Sequence, residues 1–239
     1  MGAWAPNERI DGGSGFDSVY LTGDYKEKFG ANSFRSIEAI ALSGAFNYKL
    51  TTHDGTVAAG NILQIQAFSL DAAHKASING AAELDGTFHM SGGAGRDALT
   101  GGAGADTLRG NDGADTLVGG DGEDELVGGV GHDELTGGSG QDVFSFDDGE
   151  SPFANPDLIL DLQLSDVVSL SNIDANSTLA FDQLFTLVAS FGGNAGELVV
   201  DYDSGTNITS FLMDTDGDSA ADGVIEAVGN KSAFVQFEL

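Results

Sequence analysis

The chain has 239 residues, 41% of them hydrophobic, and 38 acidic residues against nine basic ones give a net charge of −29. That balance repels nucleic acid and anionic membranes, so neither is an expected partner, and no run of 18 apolar residues is present to insert into a bilayer. Cysteine is absent, so no disulfide holds the fold, and in a secreted protein bound metal is the usual substitute.

The N-terminus, MGAWAPNERI, has no basic stretch followed by an apolar one, so no cleavable secretory signal is expected. Residues 1–90 read as β-rich, with short apolar runs separated by Gly, Asn and Asp. Within them, residues 12–20 (GGSGFDSVY) form a solitary copy of a nine-residue unit that recurs further on, with Asp17 at its acidic place and Val19 at its inward place. Residues 36–42, 62–68, 76–79 and 87–91 alternate at period two and read as irregular rungs of a solenoid. Asp85 lies near the start of the regular array, where it either caps an end site or is a solvated turn aspartate.

Residues 92–145 repeat that unit six times without a break: GGAGRDALT, GGAGADTLR, GNDGADTLV, GGDGEDELV, GGVGHDELT and GGSGQDVFS. The first six places of each copy read as a glycine-rich turn, because glycine reaches positive φ freely, and the last three as a short strand. The middle strand residue points opposite to its neighbours, so Leu99, Leu108, Leu117, Leu126, Leu135 and Phe144 stack on an inner face that one copy cannot bury alone. The predicted fold is therefore all-β, a right-handed parallel β-roll whose turns alternate between two edges. Asp97, Asp115 and Asp133 then stack on one edge, and Asp106, Asp124 and Asp142 on the other, about 4.8 Å apart. Like charges so close require a cation between them, and calcium, which takes six to eight oxygens, suits carboxylates and open carbonyls. The geometry predicts two ions within each edge, with weaker half-sites at the ends.

The pattern GGxGxDxUx, with U large and apolar, resembles the calcium-binding nonapeptide of RTX proteins. The resemblance implies that the first six residues of each copy bind calcium. Carried over, the candidate ligands are Gly92, Ala94 and Asp97; Gly101, Ala103 and Asp106; Gly110, Asp112 and Asp115; Gly119, Asp121 and Asp124; Gly128, Val130 and Asp133; and Gly137, Ser139 and Asp142. Asn111 departs from the pattern at a glycine place, and asparagine tolerates the left-handed region better than most residues.

After Ser145 the unit stops. The segments DVFSF, DLILDLQ and GNAGELVVDYDSGTNITSFLMDTDGDSAADG resemble the C-terminal domain of serralysin-type (M10) secreted metalloproteases, with Ser169 a departure where that family has an aspartate. The resemblance implies a capping domain over residues 146–239, with Asp157 and Asp161 near a further calcium, and an uncleaved C-terminal export signal ending in FVQFEL. DTDGDSAAD lacks the order of an EF-hand loop and reads as a hairpin turn.

The protease half of that resemblance is missing from these residues. His53, His74, His89 and His132 are isolated and none is followed by Glu, so there is no HExxH; no GxSxG elbow or GxxxxGK[ST] loop occurs either. The chain reads as three segments, 1–90, 91–145 and 146–239, of a non-enzymatic module that folds on calcium after export by a type I secretion system and works outside the cell. A surface-layer or adhesive protein that self-associates through calcium, and a carbohydrate-active β-solenoid, are the alternative readings.

Overall fold

A computed structural model describes residues 10–23, 26–28, 34–147, 150–151, 155–176 and 184–238. Its described residues contain strands and turns and no α-helix, and a parallel β-roll carries most of them. One sheet stacks Ser18–Thr22, Ala39–Ser43, Ile62–Gln66, Thr87–Ser91, Thr107–Asp112, Glu125–Val130, Val143–Asp147, Val167–Asn172 and Phe237–Glu238, all parallel. The other runs in parallel through Lys26–Lys28, Tyr48–Thr51, Ala76–Asn79, Ala98–Thr100, Thr116–Asp121, Glu134–Ser139, Asp157–Ile159 and Gly223–Val228. Beyond Gly223–Val228 it continues through the antiparallel strands Ile208–Asp214 and Glu197–Asp203 to Thr186–Val188.

Register follows from the apolar eighth place. In the first sheet Ile40, Ile65, Met90, Leu108, Leu126, Phe144, Val168 and Phe237 are successive partners, forming one inward column. The second sheet builds the facing column from Leu50, Ile78, Leu99, Leu117, Leu135, Ile159 and Ala227. Slipping any rung by one residue would turn its apolar side chain out to water, which is why the register is unambiguous. The six inward residues predicted from the repeats are fully buried, and they share one core with Tyr48, Phe88 and Phe211.

The division of each copy differs from the expected one. From the second copy to the fifth, strands run six residues, as in Thr107–Asp112 and Glu125–Val130, crossing the copy boundary and taking in the first three places of the next. First-place glycines such as Gly110 and Gly119 are buried strand residues outside the left-handed region. Glycine is needed there for space: a Cβ would fall less than 3.0 Å from the copy's own aspartate Oδ2. From the third copy on, positive φ belongs instead to second and fourth places, and Asn111 adopts it at 76°.

The C-terminal segment extends the two sheets rather than interrupting them. Of residues 157–164, only Asp157–Ile159 is a strand. DTDGDSAAD lies in the connection between the antiparallel strands Ile208–Asp214 and Gly223–Val228, as the hairpin reading expected. Phe234 and Phe237 close the core against Phe211, with ring centroids 5.2–6.0 Å apart. The remainder of the N-terminal decamer, residues 1–9, lies outside the described residues.

Candidate metal centre

Each sixth-place aspartate is held by the strand that follows it, which begins in the rung and fixes the carboxylate at the edge. The backbone N–H of one aspartate donates to Oδ1 of the aspartate 18 residues later: Asp97 to Asp115, Asp115 to Asp133 and Asp106 to Asp124, each at 2.7 Å, and Asp124 to Asp142 at 3.0 Å. The columns continue beyond the repeats, because Asp133 donates to Asp157 at 2.8 Å and Asp142 to Asp166 at 3.2 Å. One edge therefore aligns Asp97, Asp115, Asp133 and Asp157, and the other Asp106, Asp124, Asp142 and Asp166. Reasoning from the nonapeptide missed Asp166. Its signal was the truncated triplet D-x-U, present as Asp166-Val167-Val168 just as in Asp157-Leu158-Ile159.

All eight of these aspartates are buried. The second oxygen distinguishes them. Oδ2 of Asp115, Asp124, Asp133, Asp142 and Asp157 is buried with no hydrogen-bond partner, whereas Oδ2 of Asp97 accepts from Gly93 N–H (2.5 Å), that of Asp106 from Gly102 N–H (2.6 Å) and that of Asp166 from Gln163 N–H (2.7 Å). A buried, unpartnered carboxylate oxygen is costly unless a proton or a cation meets it. Burial pushes Asp115 and Asp157 up to about 8, Asp124 up to about 7 and Asp133 up to about 6, and it also raises Asp97, Asp106 and Asp142. Backbone N–H bonds oppose the shift, and neighbouring carboxylates such as Asp133 beside Asp115 reinforce it. An oxygen-only, anionic, glycine-lined donor set of this kind fits a hard divalent cation such as calcium.

The remaining candidates fall into place around these columns. Third-place residues Asp112, Asp121, Val130 and Ser139 sit exposed at strand ends, and the carbonyls of Val130 and Ser139 accept from Gly113 and Gly122 N–H (2.8 Å). Ala94 and Ala103 are half-buried and donate their N–H to Leu70 and Glu83 carbonyls. Asp161 is apart from Asp157: its two oxygens accept from Gly137 and Gly138 N–H, both at 2.9 Å. The turn facing Asp17 is supplied by Glu38, whose carboxylate accepts Asp17 N–H at 2.8 Å, and Asp17 Oδ2 is itself buried and unpartnered. Asp85 lies in a separate group with Asp54 and Glu83, and Asp214, Asp216 and Asp218 form another. Buried Glu83 is bonded to Val57 N–H (3.0 Å), and buried Asp214 to Gly217 (2.7 Å) and Ser219 (3.0 Å).

Comparison with known proteins follows the same outline. A segment of 77 residues, 32% of this chain, is 40% identical to metalloprotease AprA of Pseudomonas entomophila (strain L48) and spans 16% of that protein's length. Two solution structures, the AlgE6R3 and AlgE6R2 subunits of the Azotobacter vinelandii mannuronan C5-epimerase, superpose with TM-scores of 0.45 and 0.42 at 28% and 25% identity. They cover 59% and 60% of this chain and 77% and 92% of their own. Residues 76–237, most of the molecule, match the family described as peptidase M10 serralysin C terminal, which is the C-terminal part of such proteases and not the catalytic one. The chain belongs to the peptidase M10 serralysin C-terminal family.

Proposed function

We propose that this chain is a calcium-dependent folding and secretion module of an extracellular protein exported by a type I system. The observation that carries the reading is the pair of aspartate columns whose buried Oδ2 atoms lack any protein partner. Asp115, Asp133 and Asp157 on one edge, and Asp124 and Asp142 on the other, would hold calcium, with the first-place glycine carbonyls of Gly128 beside Asp115 and of Gly137 beside Asp124. Bound calcium supplies the positive charge that lets these carboxylates stack ionised. Without it, the same residues oppose closure of the roll, and the chain stays extended enough to thread an exporter.

Extracellular calcium modules bind at roughly 10⁻⁴ to 10⁻³ M, far above free calcium inside a cell, and several sites linked to one folding step make the response steep. Serralysin-family membership and the AprA likeness support export to the outside. Circular dichroism across a calcium titration tests the reading. The β signal is expected to rise cooperatively with calcium, with at least three ions taken up by calorimetry, and a chain already β-rich in excess chelator would refute it.

A further inference from the structure

Away from the turns, the outer face of the first sheet carries a groove of about 430 Å³ across its first three strands. Phe16, Tyr20 and Phe68 border it with 66%, 76% and 65% of their surface exposed, which is a large apolar area for a surface to leave in water. Ala39 and Ala41 line the groove between these rings. Gln64 and Gln66 also line it, with their carboxamides joined by a 3.3 Å hydrogen bond. Among the described residues, none that is charged lines the groove, although the chain as a whole carries −29.

We propose that this groove binds an uncharged oligosaccharide strand, a role beyond calcium-driven folding and independent of export. The lining chooses among ligand classes. Exposed aromatic faces stack on the C–H faces of pyranose rings, and carboxamides and hydroxyls exchange hydrogen bonds with sugar hydroxyls. A lipid chain that covered Gln64 and Gln66 would satisfy none of the carboxamide groups left over from their mutual hydrogen bond. An anionic glycan would find no cation in the groove to offset its lost hydration. A second copy of the chain would bring two surfaces of the same large negative charge together. Phe16 and Tyr20 lie on the first of these rungs and Phe68 on the third, with Ala39 and Ala41 of the second between, so an extended chain of sugars crossing the strands meets rings at both ends, and the volume is that of an ordinary small-ligand site.

The full chain, folded in millimolar calcium, is titrated by calorimetry with the neutral hexamers cellohexaose, xylohexaose and β-mannohexaose, and with a hexameric uronate as the charged arm. At least one neutral hexamer is expected to bind saturably, about tenfold or more weaker with Tyr20→Ala or Phe68→Ala, and unchanged with Leu164→Ala, an exposed residue elsewhere. Because the substituted rings are surface groups, the calcium-loaded circular dichroism of each variant should match the parent. The proposal is overturned if a folded chain binds none of the neutral hexamers, if it prefers the uronate, or if both ring variants bind as tightly as the parent. Concentration-dependent dimerisation that the same variants abolish would equally overturn it, by assigning the face to self-contact.

Discussion

The first two repeats and the last four have nearly the same sequence and different chemistry. Asp97 and Asp106 have both carboxylate oxygens met by backbone N–H groups, from Ala76 and Gly93 in one case and Phe88 and Gly102 in the other. Asp115, Asp124, Asp133 and Asp142 each keep one buried oxygen with no partner. The turn backbones differ in step. Second- and fourth-place residues are in the left-handed region from Asn111 to Gly140, whereas Gly93, Gly95, Gly102 and Gly104 are not. The cause is the neighbour. The early turns stack on residues 67–74 and 80–86, where Ala94 and Ala103 donate to the carbonyls of Leu70 and Glu83, while later turns stack on other nonapeptide turns. Within the six tandem copies, an aspartate therefore keeps an unpartnered oxygen only when the turn one rung before it is itself a nonapeptide turn.

The sharpest way to break that comparison is to neutralise each group separately. Replacing Asp115, Asp124, Asp133 and Asp142 together by Asn should abolish the calcium-induced gain of β signal. The pair Asp97→Asn and Asp106→Asn should keep the calcium midpoint within about threefold while lowering stability in calcium by about 1–3 kcal/mol, the usual cost of a disturbed buried hydrogen bond. Equal loss of calcium response in the two variants would erase the distinction.

Core substitutions should show no such split. Leu99 in the first copy and Leu117 in the third are both fully buried in one column, so Leu99→Ala and Leu117→Ala should each lose about 2–5 kcal/mol by denaturant unfolding in calcium. A marked difference between them would show that the early rungs pack more loosely than the late ones.

Acidity discriminates further. The carboxyls of Asp115, Asp157, Asp124 and Asp133 have folded-state values of about 8, 8, 7 and 6, above the ordinary aspartate value near 3.8. A raised folded value means that the folded chain holds the proton more tightly. Its contribution to stability is therefore fully present below about pH 4 and lost as pH rises through 6 to 8. In chelator, acidification from pH 8 to pH 5 should raise the β signal of the metal-free chain, because protons then replace the cation on these carboxylates. In calcium, protons compete with the ion, so the calcium midpoint should move to higher concentration over the same change. A metal-free β signal that falls on acidification from pH 8 to pH 5 would contradict both the burial and the columns.

The smallest effect is expected at Asn111. Its side-chain amide donates to Ser91 Oγ (3.1 Å) and Gly92 O (2.9 Å), while its backbone occupies a conformation glycine takes more easily. Asn111→Gly should therefore change stability by no more than about 1 kcal/mol, the lost hydrogen bonds being offset by relieved strain, as measured by chemical denaturation in calcium.

Periodicity made the roll legible because each copy must supply one inward side chain, one tight turn and one acid, and no other arrangement of Leu108, Gly110 and Asp115 satisfies all three. The solitary unit at residues 12–20 was readable for the same reason, and the exposed hairpin at 215–222 because no EF-hand order was present. The partnership of Asp17 with Glu38 was not readable, and Asp166 showed only as a bare D-x-U triplet. In both, the missing half of the motif comes from a segment without the repeat, and only stacking brings it to the edge.

By itself, then, the sequence determined the period, the inward face, the alternation of edges and the chemical type of the turn, since these depend on residues within nine places of one another. Tertiary structure alone decided which carboxylates are left unpartnered, that Asp161 binds the Gly137 and Gly138 N–H groups, and that the C-terminal strand closes the first sheet. Those outcomes rest on what lies one rung away, 18 or more residues along the chain, where hydrogen bonding and burial are settled by register and not by local preference.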